Sequence, residues 1–264
     1  MQTRPKPGQL LRSWRQQRRL SQLDLACEAQ ISTRHLNFVE TGRARPSRQL
    51  ILHLGELLEL PLRERNRLLL AAGFAPAFPE RALDEPALDV AMTALRQILT
   101  GHEPSPALVI DRHWNLLLAN RAAERLLASV DPALLCAPVN VLRLTLDPRG
   151  LAPLIVNLGE WRHHLLRRLR RLVAHDNDPA MCELLTELSA WPPLPGEQTP
   201  VEFESHAPDV AVLFRFRSPL GELRLIGTLT TFGSPLDVSL SELALEAFYP
   251  ADAQTAELLR ALDG

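Results

Sequence analysis

The chain has 264 residues, 46% of them hydrophobic and 23% charged, with a formal net charge of −2; this balance suits a folded globular protein and excludes a largely disordered one. The near-neutral total hides an asymmetry, because residues 1–75 hold thirteen Arg or Lys against six Asp or Glu, whereas residues 76–264 hold sixteen against twenty-five. The first part therefore suits a polyanion that the second would repel, and with no stretch near the roughly 18 apolar residues a bilayer demands, and no apolar run in the opening MQTRPKPGQ, a cytoplasmic location and no membrane partner are expected.

In chain order, Leu11 and Trp14 stand at helical spacing and mark a first helix. Ser21 is a natural N-cap for a second, with Asp24 three positions on in the place of a capping-box Glu, and Leu25, Ala26 and Ala29 form its inward stripe. A bend follows at Gln30 and Ile31. Ser32 then caps a third helix whose Leu36 and Val39 point inward, which turns Thr33, Arg34, Asn37 and Phe38 outward, where they can reach base edges or a thymine methyl. Gly42 ends that helix, and Arg43 and Arg45 beyond it are placed to hold phosphates. Ser47 caps a fourth helix bearing Leu50, Leu54, Leu57 and Leu58, and Pro61 opens a fifth that runs through Leu68, Leu69 and Ala72 to Gly73. The proline-rich stretch to residue 87 reads as a linker, giving a DNA-binding domain over 1–75, a linker over 76–87 and a second domain over 88–264.

The second domain follows a different pattern. A helix is expected from about Leu88 to Leu99, then a β-hairpin in PALVIDRHWNLLLAN, with Asp111, Arg112 and His113 between its apolar runs. Asn120 can cap the next helix. A longer helix carries Trp161, Leu165, Leu169, Leu172 and Val173 on one face, and Arg167, Arg168, Arg170 and Arg171 on another that reads as solvated. Two strands turn at Pro219, Leu220 and Gly221, with Phe214 and Phe216 on one face and Arg215 and Arg217 on the other, and a final helix is expected from Ser241 to Phe248. The fold class is α+β: five helices, then an antiparallel sheet covered on one side by helices.

Ser21-Gln22, Leu25-Ala26, Ile31-Ser32, Glu40-Thr41-Gly42 and Arg45-Pro46-Ser47 carry a resemblance to the xenobiotic-response-element family of helix-turn-helix repressors, five-helix domains of the lambda and 434 repressor type, over residues 8–73. The resemblance implies binding to a double-stranded DNA operator. It implies a phosphate contact from Gln22, groove-facing positions at Thr33, Arg34, Asn37 and Phe38 beside the cap Ser32, and a pairing of Arg15 with Glu40. Phe38 departs from the pattern, standing where a polar reader is common, so contact with a methyl or sugar is expected of it.

Over nearly the whole chain, the segments ETGRARPS, PLRERNRLLLAAGFAP, HEPSPALVIDRHWNLLLANRAA and GELRLIGTLTTFGSPLDVSLSELALEAFYPAD resemble the MmyB-like regulators, in which such a domain is joined to a PAS-like ligand-binding domain. That resemblance implies a bacterial transcription regulator that senses a small apolar molecule, with a fatty acid as the family-level expectation. A fatty acid needs an apolar tunnel and a donor for its carboxylate, since an unpaired buried charge costs several kcal/mol, very roughly. Candidate donors are Arg112, His113, Asn120, Arg121 and Arg162; candidate walls are Trp114, Trp161, Phe214 and Phe216. Each also has a plain structural reading: Asn120 as a helix cap, Arg112 and His113 as an exposed turn, Arg121 and Arg162 as surface ion-pair partners, the aromatics as core.

Neither an enzyme nor a cofactor is expected. There is no G-x-S-x-G elbow, no phosphate-binding glycine loop and no H-E-x-x-H pair. His163 and His164 project about 100° apart on a helix and cannot easily share an ion, so they and His175 and Asp176 read as structural. Cys27, Cys136 and Cys182 are odd in number and far apart, and read as small buried residues. A homodimer is expected, with the apolar tail from Tyr249 to Leu262 at its interface. The alternative keeps the DNA-binding domain but makes the second domain a dimerisation or protein-interaction module without a small molecule.

Overall fold

The computed structural model describes residues 6–176, 178–197 and 212–263. Contacts divide the chain into two compact units, one formed by residues 1–85 with 233–241, the other by 86–232 with 242–264.

The first unit contains the five expected helices: α1 (Pro7–Gln17), α2 (Gln22–Glu28), α3 (Thr33–Glu40), α4 (Arg48–Leu57) and α5 (Leu62–Ala71). Their starts follow the capping residues. The Ser21 hydroxyl accepts from the Asp24 N–H at 3.1 Å while the Ser21 N–H donates to the Asp24 carboxylate at 2.9 Å, so both arms of the box are made, and Ser32 and Ser47 cap α3 and α4 in the same way. The bend between α2 and α3 turns on Gln30 at φ 54°, and Gly42 at φ 75° ends the turn after α3. Leu11, Leu25, Leu36, Ile51, Leu54, Leu58 and Leu68 are sealed in a single core. α1 comes so close to the end of α3 that a Cβ on Gly8 would lie 2.2 Å from the Val39 carbonyl oxygen.

The proline-rich stretch is fastened in part to this unit. Asn66 of α5 accepts from the N–H groups of Ala77 and Phe78 and donates to the Phe78 carbonyl. Residues 233–241 come from a distant part of the sequence. They include the short helix α11 (Val238–Ser241), whose Val238 N–H donates to the Pro79 carbonyl at 2.8 Å, while buried Asp237 accepts from Arg81 at 2.9 Å and from the Ser239 N–H.

The second unit runs α6 (Asp89–Gly101), β1 (Ala107–Ile110), β2 (Leu116–Ala119), α7 (Arg121–Leu127), α8 (Val141–Leu146), α9 (Leu158–Asp176), α10 (Pro179–Ala190), β3 (Leu213–Ser218), β4 (Gly221–Thr231), β5 (Ala244–Pro250) and α12 (Ala253–Asp263). The strands form one antiparallel sheet in the order β2-β1-β5-β4-β3. Both expected hairpins are present.

Three expectations are corrected. Residues 244–250 form β5, not a helix, and lie at the centre of the sheet. The Leu, Ala and Glu of this run favour a helix when isolated, but hydrogen bonding to β1 on one side and β4 on the other outweighs that preference. The arginine face of α9 is only partly solvated, since Arg168 is largely buried against β5. The cysteines are free thiols, with Cys27 and Cys136 exposed.

Register sets the inner face of the sheet. Leu108 of β1 and Leu229 of β4 both stand opposite Glu246 of β5, and Phe248, Leu225, Phe214 and Phe216 continue that face. Trp161 of α9 closes on it, 4.9 Å from Phe214 between ring centroids.

Candidate functional site

The first site is the exposed side of α3. Arg15 donates two hydrogen bonds to Glu40, at 2.7 and 3.0 Å, and both side chains are sealed from solvent. Hydrogen bonding to this carboxylate raises the Arg15 pKa further. Gln22 at the start of α2 donates at 2.7 Å to Glu40 Oε2, which also accepts the longer Arg15 bond, and accepts from Asn37 at 3.3 Å. A chain of polar contacts therefore runs from α1 through Glu40 and Gln22 to Asn37 and fixes α3 against its neighbours. The pairing of Arg15 with Glu40 is the one the repressor resemblance implied.

On the outer side, the Phe38 ring stands between two cations. The Arg34 guanidinium lies 5.3 Å and that of Arg43 6.0 Å from its centroid. Ser32, Arg34, Arg43 and Arg45 are exposed, while Thr33 and Asn37 are half-buried. The face thus offers cations and short polar groups on a rigid helix, the chemistry that phosphate oxygens and base edges match.

The second site lies within the second unit. A small, partly open cavity of about 60 Å³ is lined mostly by apolar side chains from β1, β2, α7, α8, α9, β3 and β5, with Trp114, Trp161 and Phe214 among them. Among the described residues, its acidic lining residue is Glu246, 6% exposed. Arg168 of α9 approaches Glu246 at 3.2 Å while its guanidinium stacks 4.5 Å over the Trp114 ring. Burial raises the Glu246 pKa, and Arg168 offsets only part of that rise.

Trp114 is held in place by an unusual turn. Its φ of 65° is rare for so bulky a residue. The Asp111 carboxylate, which accepts from the N–H groups of His113 and Asn115, maintains the turn, as does the Trp114 carbonyl, which accepts from the Val141 N–H. A conformation costing about 1–3 kcal/mol persists only where its surroundings enforce it, and here it puts the indole under Arg168.

The expected site residues divide accordingly. Trp114, Trp161 and Phe214 line the cavity together. Phe216 instead lines a wider, solvent-open groove of about 520 Å³ framed by α7, the β3–β4 turn and α12; Leu126 borders both spaces. Asn120 caps α7 through the Ala123 N–H and also bonds the backbone of Ala107 and Ser105. Arg112 pairs with Asp178 and Glu242, and His113 lies 3.2 Å from Asp178. Burial alone would raise the Asp178 pKa, but Arg112, His113 and the Ala180 N–H hold it below the usual carboxylate range. Arg162 pairs with buried Glu197, and Arg121 is exposed.

Glu246 and Arg168 were not among the candidates. The signal for Glu246 was a lone acid in an otherwise apolar run, which becomes informative only once that run is a strand. The side chains of His175 and Asp176 lie outside the described residues, and among those described no group of three His, Cys, Asp or Glu is placed to hold a metal. No helix among the described residues is long and apolar enough to cross a membrane.

Comparison with known proteins gives matches on both units. Residues 8–68 match the model of a helix-turn-helix domain, and residues 91–262 match that of the MmyB-like transcription regulator ligand binding domain. No curated protein matches the chain. Among solved structures, an RNA-binding light-oxygen-voltage receptor aligns with 96% of this chain and 61% of its own at 15% identity; its TM-score of 0.27 carries no argument about fold or function.

Proposed function

The chain belongs to the MmyB-like transcription regulators, and from that premise we propose that it is a cytoplasmic bacterial regulator that reads a specific operator as a homodimer and senses a small apolar ligand, a fatty acid by family-level expectation. Residues 1–75 bind DNA, 76–87 join the two parts, and 88–264, apart from the segment 233–241 that packs with the first unit, hold the ligand and dimerise. The protein acts by differential binding and not by catalysis, and needs no cofactor.

The observation that carries this reading is the exposed cationic face of α3 backed by the chain from the buried Arg15–Glu40 pair to half-buried Gln22 and Asn37. A rigid helix with Arg34 and Arg43 flanking Phe38 can lie in a major groove, with Ser32, Thr33, Arg34, Asn37 and Phe38 towards bases and Arg43 and Arg45 towards phosphates. A primary amide carries two N–H groups, so Gln22 can serve Glu40 and a phosphate together. In a dimer the two α3 helices would meet half-sites about 34 Å apart.

The small apolar cavity supports the sensing half of the proposal. Trp114, Trp161 and Phe214 supply wall, and Arg168 supplies the donor. At about 60 Å³ the cavity is smaller than a long acyl chain. Because Leu126 borders both the cavity and the open groove, displacing its side chain would join them into one channel.

Operator binding by two variants tests the DNA half. Arg34→Ala should cost about 1–3 kcal/mol and relax preference at one base, whereas Arg43→Ala should weaken every sequence alike and flatten the salt dependence. Identical behaviour of the two variants would overturn the division into readers and holders. Native mass spectrometry for a co-purified apolar molecule tests the ligand half, and light scattering tests the dimer.

A further inference from the structure

An apolar cavity whose acidic lining residue, among those described, is Glu246 presents an acidic ligand with a charge problem. Among the described residues Arg168 is the cation paired with Glu246, and a single guanidinium cannot neutralise two carboxylates in a mostly apolar pocket. The described elements packed around Glu246 add mostly apolar groups, with His164 of α9 stacked on Trp161. β1 and β4 present Leu108 and Leu229 opposite it, the β1–β2 turn presents Trp114, and α9 presents Arg168. The nearby charges of Arg112, His113, Asp178 and Glu242 are engaged with one another.

We propose that this pocket takes an acidic apolar ligand together with one proton, so that Glu246 and the ligand carboxyl share that proton while Arg168 carries the remaining charge. The inference rests on the reading of this cavity as the ligand site. The step balances as one ligand carboxylate and one proton from solvent entering, with no covalent bond made or broken. Two carboxyl groups held together cannot both ionise, so the proton belongs to the pair and not to either member. The geometry favours the exchange. Arg168 meets Glu246 through one contact at 3.2 Å and keeps 24% of its side chain accessible, so it can turn to a second carboxylate without leaving Trp114. The raised Glu246 pKa makes the proton easier to acquire. Glu246 thereby becomes a specificity residue: acids bind with a proton, alcohols without one.

The test uses the full chain freed of bound lipid, with octanoic acid and 1-octanol as probes, in titration calorimetry across buffers of different ionisation enthalpy. Above the pH at which Glu246 ionises in the free chain, octanoic acid should bind with uptake of close to one proton and its affinity should fall about tenfold per pH unit, as a one-proton linkage requires. Octanol should bind with no uptake and no pH dependence. In Glu246→Gln, octanoate should bind without uptake and with a nearly flat pH profile, circular dichroism serving to verify that the variant folds. Octanoate binding to the unaltered chain without proton uptake would overturn the coupling alone. Failure of both probes to bind would overturn the ligand-site reading itself, and the coupling with it.

Discussion

Phe38 lies between Arg34 and Arg43 on the outer face of α3, and the two stacking contacts order long side chains that would otherwise lose more entropy on binding. Its sequence position suggested only contact with a methyl or a sugar, whereas the structure adds a role in positioning both guanidiniums. Phe38→Ala should therefore weaken operator binding by about 1–2 kcal/mol, roughly 5–30-fold, by removing two exposed cation–π contacts of about 0.5–1 kcal/mol each. Phe38→Leu keeps the apolar contact without the ring, so a fluorescence-anisotropy titration in which it binds as tightly as the unaltered chain would rule the stacking role out. Residue-level roles were legible where one side chain acts alone. Ser21, Ser32, Ser47 and Asn120 were all identified as caps from position alone, because a cap bonds to backbone two or three residues away. Glu246 and Arg168 were not legible, since their meeting depends on the packing of a helix against a strand 78 residues away.

At the scale of elements, α1 comes close against the end of α3 in the first unit. Gly8→Ala would place a methyl 2.2 Å from one carbonyl oxygen and 2.7 Å from the next, so α1 must move away from α3. We expect a loss of about 1–3 kcal/mol in the stability of this unit, read by thermal melting, together with weaker operator binding, because the shifted helix carries Arg15 away from Glu40. In the second unit Leu126 of α7 stands between the small cavity and the wider groove. Leu126→Ala should join the two spaces and raise the affinity for hexadecanoic acid relative to octanoic acid, a ratio obtainable by titration; an unchanged ratio would mean that the chain does not run that way. Helices and hairpins were legible wherever their periodicity was uncontested. β5 was not, because SELALEAFYP has helical composition and becomes a strand only between two partners.

At the scale of the whole molecule, the first unit is completed by residues 233–241, which the chain delivers from between β4 and β5. Asp237, 4% exposed, holds Arg81 and the N–H of Ser239 there. Asp237→Ala should cost this unit about 1–3 kcal/mol and raise hydrogen exchange of amides in α5, against which α11 packs; unchanged protection in α5 would show that the segment adds nothing to the unit. The sequence by itself determined the five helices and their caps, the split of charge between the halves, the exposed set on α3 and the two hairpins, because each rests on residues within a few positions of one another. Only the tertiary structure decided that residues 244–250 form the central strand, that Arg168 is buried against Glu246, that Phe216 faces a different space from Phe214, and that a segment past residue 230 belongs with the first 85. Those features are contacts between distant parts of the chain, and local periodicity does not encode which distant surface will bury a given side chain.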